Sequence, residues 1–157
     1  MTNENGSRDQ AAAQLSSISR MLAALNCDYD RLAELREDRA DLTEEESEEL
    51  AELEQAAGGC EDRDDAEQRI QEDPLTVEVR SAWYSPGDSD GQQPSEFQIL
   101  LCTGGPAVRI IGELDEYGQP SRAWLEHQDW GTPWTHYYES GSNDVLVEYA
   151  SQFYFGE

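Results

Sequence analysis

The sequence predicts an α+β fold: an N-terminal helical hairpin plus a short helix, then a four-stranded antiparallel meander with a C-terminal helix packed on it. Three observations predict this. Apolar residues recur at helical spacing from Leu15 to Leu32. Period-two alternation punctuated by Gly and Pro takes over between Glu96 and Trp130. A second helical stripe begins at Val145. The 157 residues suit one domain with an appendage, with 1–60 expected as an acidic helical hairpin and coiled-coil region and 61–157 as the α+β domain.

The polar stretch Met1–Ser7 is expected to fray, and a helix starts near Asp9. Leu15, Ile18, Leu22, Leu25, Tyr29 and Leu32 follow a 3-4-3-4-3 spacing, a heptad seam that ends where Arg36 and Arg39 take the next positions. Thr43 and Glu46 stand at capping-box spacing. Leu50, Leu53 and Ala57 form a short stripe, and Gly58-Gly59 stops the helix. Residues 9–57 therefore read as one helix, a break near Leu42–Thr43, and a second helix folding back. The seam Leu15, Ile18, Leu22, Leu25, Leu32 is longer than one short partner helix covers. It must also pack on the sheet, on another copy of the chain, or on a target.

Asp62 or Asp64 caps a third helix running to about Glu72, and Asp73-Pro74 ends it. Leu75, Val77, Val79 and Trp83 alternate with polar residues, as in a strand with one wet face, and Pro86–Ser95 reads as a loop. Phe97–Cys102, Val108–Leu114 and Ser121–Trp130 are the next strands. Thr103-Gly104-Gly105-Pro106 and Asp115–Pro120 are tight connections of the kind that join antiparallel neighbours. Asn143 or Asp144 caps the last helix, whose lines Val145, Tyr149, Phe153 and Leu146, Ala150, Tyr154 face the sheet. Trp83, Leu101, Ile110 and Phe153 are expected to share one core.

The formal charge is −25, and all ten basic residues are Arg. Residues 1–73 hold 22 acids against 7 Arg, and 74–157 hold 13 against 3, so acid dominates both halves. Such a field repels nucleic acid and anionic membranes and attracts basic protein surfaces. It also suits plain solubility or a salty cytoplasm. Three Cys without a CxxC pair indicate neither a disulfide framework nor a zinc site. No basic start followed by an apolar run resembles a signal peptide, and the longest apolar run is far short of the roughly 20 residues of a membrane span. A cytoplasmic location is expected.

The run ILLCTGGPAVRIIGELDEYGQPSRAWLEHQDWGTPWT and the ending SQFYFGE resemble a family of small acidic proteins encoded by proteobacterial genomes and mobile elements. The likeness covers the chain from about Asp73 onward, and members share a helical, acidic N-terminal part of variable length. It implies a mobile-element context and brings no catalytic residues with it.

Five candidate sites follow. His127, Asp129 and His136 could hold a metal, but only two His exist and no HExxH or Cys pattern supports them, so no metal or cofactor is called for. Trp130, Trp134 and Tyr137, with Tyr138, could grip a peptide or ligand by stacking, or close one end of the core. Thr103–Pro106 lacks a Lys and precedes a strand, so a hairpin turn fits it better than a phosphate cradle. The three thiols lack activating neighbours, and no enzyme is expected. Seven carboxylates between Thr43 and Ala57 make a charge-dense helix, with Glu45, Glu48, Glu49 and Glu52 near one face. The expected function is a non-enzymatic, acidic, protein-binding inhibitor that occupies a basic nucleic-acid-binding surface, in the manner of anti-restriction or anti-CRISPR proteins. It would bind no nucleic acid itself. The second reading is a small homodimeric scaffold joined through the seam, and the third a ligand-binding domain using the Trp130–Tyr138 cluster.

Overall fold

The computed structural model describes residues 6–88 and 93–155, so most of the Met1–Ser7 segment, part of the Pro86–Ser95 loop and the last two residues lie outside it. The element order is α1 (Gly6–Leu25), α2 (Tyr29–Glu37), a 3-10 turn (Arg39–Asp41), α3 (Glu44–Ala57), α4 (Arg63–Glu72), β1 (Thr76–Ser81), β2 (Pro94–Cys102), β3 (Ala107–Leu114), β4 (Pro120–Gln128), β5 (Thr135–Tyr137) and α5 (Ser142–Ala150). The strands form one antiparallel sheet in the order β1-β2-β3-β4-β5. The class is the α+β fold expected, with five strands in place of four. The extra strand forms because Asp129–Thr132 closes a turn that returns Thr135–Tyr137 alongside Leu125–His127.

The expected single helix over the heptad seam is broken. α1 ends at Leu25, and Asp28 caps α2 by accepting from the Arg31 amide at 3.1 Å. The Tyr29 hydroxyl donates to the Ala24 carbonyl at 2.6 Å and pins the corner. The hairpin is therefore α2 against α3. Thr43 and Glu46 form the capping box, and Gly58 ends α3 at φ 57°, a left-handed conformation that only Gly takes without strain.

The seam is covered within the chain. Leu15, Ile18, Leu22 and Leu25 are buried in the main core with Ile99, Val108, Ile110, Leu125, Leu146 and Tyr149. Leu32 joins Leu35, Leu50 and Ala57 in a separate small cluster inside the hairpin. The coiled-coil and seam-dimer expectation is corrected accordingly: the helix break lets α1 lay its apolar stripe on the sheet. The main core also crosses the boundary expected near residue 60, because α1 supplies one side of it.

Two other core expectations are corrected. Trp83 is fully exposed: it lies past the end of β1, an edge strand whose own residues are mostly exposed. Phe153 is only partly buried; α5 ends at Ala150, and Phe155 takes the inner place, its ring 4.8 Å from Phe97. α5 is preceded by Gly141 with no side-chain cap. Asn143 instead accepts from the Ala123 amide at 3.1 Å, fastening α5 to β4.

The registers define what each sheet face carries. The helix-bearing face holds the rows Phe97, Gly112, Ala123 and Ile99, Ile110, Leu125, Tyr137, which continue past the helices into the exposed Val79 and Val77 of the edge strand. A bulge at Leu101 sets Cys102 opposite Val108. The other face is not covered by any helix. Its rows are Arg80, Glu96, Glu113, Arg122; then Glu78, Gln98, Ile111, Trp124; then Thr76, Leu100, Arg109, Glu126, His136. All three Arg of residues 74–157 stand on this open face.

Candidate functional site

α3 is divided by charge. Arg31 on α2 grips Glu49 through two hydrogen bonds, Nε to Oε1 at 2.8 Å and Nη2 to Oε2 at 3.1 Å. Those bonds hold the Glu49 carboxyl below the usual glutamate range. Arg36 and Arg39 both reach Glu54, at 3.3 and 2.8 Å. The inner side of the hairpin is thereby neutralised. Glu45, Glu48 and Glu52 are exposed and take no ion pair among the described residues. Of the four acids predicted as a face, Glu49 is thus committed to holding the hairpin closed, and exposed Glu44 stands beside the remaining three.

The open sheet face centres on Arg109. Its Nε and Nη2 donate to Glu126 Oε1 at 2.9 and 2.7 Å, and its Nη1 donates to Gln98 Oε1 at 3.0 Å. The guanidinium lies 4.0 Å from the centre of the Trp134 ring, a cation–π contact. Trp124 donates its Nε1–H to Glu126 Oε2 at 3.2 Å. His136 stacks on Tyr138 at 4.1 Å. A shallow groove of about 400 Å³ runs between β1 and β4 over Gln98, Arg109, Trp124 and Glu126. These polar groups satisfy one another, and among the described residues no buried side-chain N or O lacks a hydrogen bond. Arg109, Gln98, Glu126 and Trp124 thus form one bonded network across the open face of the sheet.

The Trp130–Tyr138 cluster is split by the β4–β5 turn. Trp134 lies on the open face, Tyr137 packs against the core beside His127, and Trp130 projects into solvent. His127 and His136 fall on opposite faces of the sheet because β4 and β5 pair Glu126 with His136 and His127 with Thr135. Among the described residues no three His, Cys, Asp or Glu converge.

What gathers around His127 is a residue that sequence reading missed. Ser7 Oγ lies 2.8 Å from His127 Nδ1 and donates to Asp129 Oδ2 at 2.7 Å, while the Ser7 amide donates to Asp129 Oδ1 at 3.0 Å. The three residue types are those of a hydrolase triad, but the connectivity is different. Asp129 bonds the serine and not the imidazole, and Ser7 is only 2% exposed. Asp129 acts instead as a remote cap on the first turn of α1 and fastens it to the end of β4. Burial holds the His127 pKa below its ordinary value, with Arg8 adding to the effect and Asp129 opposing it. No spacing in the sequence could reveal this cluster, because about 120 residues separate its members.

Cys27 and Cys102 carry no sign of activation. Burial pushes both Cys27 and Cys102 upward, and their sulfurs approach the carbonyls of Leu53 and Pro106. Among the described residues no helix is long and apolar enough to cross a membrane. No family model, curated protein or solved structure matches this chain.

Proposed function

We propose that this chain is a non-enzymatic binding protein that presents the outer side of α3 to a basic protein surface of the kind used to hold nucleic acid. One observation carries it. The hairpin spends Arg31, Arg36 and Arg39 on the inner carboxylates Glu49 and Glu54 and turns Glu44, Glu45, Glu48 and Glu52 outward. At about 1.5 Å rise per residue these four charges span roughly 12 Å, a mean spacing of about 4 Å. One DNA strand carries a charge every 3.4 Å or so. The formal charge of −25 adds long-range attraction for a basic partner. The partner this face fits is a nucleic-acid-binding complex that acts on incoming DNA, as anti-restriction and anti-CRISPR proteins meet.

The experiment compares two triple variants of equal charge change. Glu45→Gln, Glu48→Gln and Glu52→Gln alters the proposed face. Glu113→Gln, Glu116→Gln and Glu139→Gln alters exposed acids elsewhere. Fluorescence anisotropy follows binding to labelled protamine, with duplex DNA as competitor, over a salt series. The α3 variant should lose on the order of tenfold in affinity and show a shallower salt dependence, and the control variant should lose far less. Equal losses from both would mean that the charge acts only as a diffuse field and that α3 is no docking face.

A further inference from the structure

We propose that β1 is a self-complementary edge through which two copies of the chain pair antiparallel, with Val79 at the two-fold axis. β1 ends the sheet, and among the described residues no element pairs with its outer side. The apolar residues along it are uncovered: Leu75 is 56% exposed, Val77 38% and Val79 43%. An exposed apolar edge is the feature that folded proteins ordinarily blunt with a bulge, a proline or a row of like charges. The opposite edge, β5, is blunted by having only three residues. β1 is six residues long, and the irregularity where it meets β2 lies in β2, which uses two steps, Glu96 to Pro94, against one step in β1.

The charges on β1 select the partner. Glu78 and Arg80 share the open face two positions apart. In the antiparallel register that sets Val79 across from Val79 of the other copy, each Glu78 meets the other copy's Arg80, and no like charges face each other. Shifting the register by two residues in either direction sets Glu78 against Glu78 or Arg80 against Arg80. The row Arg80, Glu96, Glu113, Arg122 would then continue into Glu78 of the second copy, and Val79 would pack on its equivalent beside Phe97. The sheet becomes a ten-stranded one with closed two-fold symmetry. The two chains repel each other through −25 charges apiece, a force that salt screens, whereas strand hydrogen bonds and valine contacts are not screened. Salt also screens the two Glu78–Arg80 attractions, but the net −25 on each chain outweighs them, so pairing strengthens as salt rises, opposite in sign to the binding of a basic partner.

Sedimentation equilibrium on the full chain, from about 10 to about 500 µM in 0.15 M and 1 M salt, tests this at the affinities a small interface allows. The wild type should move toward twice the chain mass, and further at 1 M. Val79→Lys, with circular dichroism confirming an unchanged fold, should remain monomeric because it places two ammonium groups at the axis. Glu78→Arg and Arg80→Glu should each weaken pairing about tenfold or more, and an equimolar mixture of the two should restore it, since each variant then meets its opposite. A wild type that stays monomeric throughout would overturn the proposal. So would a dimer that survives Val79→Lys, or a mixture of charge variants that pairs no better than its components.

Discussion

Gly112 leaves no room for a side chain, and replacing it tests the packing directly. It sits on β3 across from Phe97 on one side and Ala123 on the other. A Cβ at this position would fall well inside 3.0 Å of Phe97 Cζ and Cε1 and of the Arg122 carbonyl oxygen. The ring cannot retreat, because Phe97 is buried and Phe155 lies behind it at 4.8 Å. The carbonyl cannot retreat without parting β3 from β4. Overpacking of a filled core costs about 1–3 kcal/mol, and a backbone atom among the obstacles puts this site at the upper end. The lower chain entropy of Ala in the unfolded state returns roughly 0.5–1 kcal/mol, so Gly112→Ala should cost about 2–2.5 kcal/mol net. Phe97→Leu alone should cost about 1–2 kcal/mol for the smaller side chain. In that background the ring clash is gone and only the carbonyl remains, so adding Gly112→Ala should cost about 1 kcal/mol. Urea unfolding of the four proteins gives the cycle, with an expected coupling of about 1–2 kcal/mol. A Gly112→Ala cost below about 0.5 kcal/mol, or strict additivity, would refute the tight Gly112–Phe97 approach.

Two further outcomes follow from burial and titration. Burial holds the Tyr29 phenol up to about 12, assisted by Cys60 and Cys27, and raises Tyr149 as well, with Asp73 adding to the effect. The folded chain thus keeps protons that the unfolded chain releases above pH 10. This contribution is complete below pH 10 and is lost as pH climbs, Tyr29's share by about pH 12, and Tyr29→Phe should flatten the fall of the urea midpoint over that window; parallel curves would remove Tyr29 from the account. Phe155→Ala should cost about 3 kcal/mol in the same assay and Trp83→Ala less than about 0.5 kcal/mol, and the reverse order would show that the core is closed by a different ring.

What could be read from the sequence was whatever depends on neighbours along the chain. The capping box at Thr43–Glu46, the stop at Gly58, the cap at Asp62 and the strands β2 to β4 follow from spacing and turn chemistry, and the structure has them. Coverage is a different property. The alternation of Leu75, Val77, Val79 and Trp83 marks a strand but does not say whether a helix lies over it, so Trp83 looked like core. The heptad spacing outweighed the cap at Asp28, although Asn26-Cys27-Asp28 holds two polar, helix-poor residues. The Arg109–Glu126 pair spans 17 residues and needs the β3–β4 register before it exists. α3 was legible as acidic, but the division between Glu49 and its outward neighbours required α2 to be placed beside it.

The separation of the hairpin cluster from the main core has a consequence for motion. Leu32, Leu35, Leu50 and Ala57 touch one another, while the sheet is closed by a different set of side chains. Few apolar contacts and several exposed ion pairs hold α2 to α3, and such units open at a free energy below that of global unfolding. Amide protons of α2 and α3 should therefore exchange with deuterium by a local route, while those of β2 to β4 wait for the whole molecule to come apart. The arm that carries the outward carboxylates joins the rest of the molecule at Cys27 and at Gly58-Gly59, whose carbonyls accept from Arg69. Its occupancy by a bound protein would be visible as slowed exchange in that arm alone, before any change reaches the sheet.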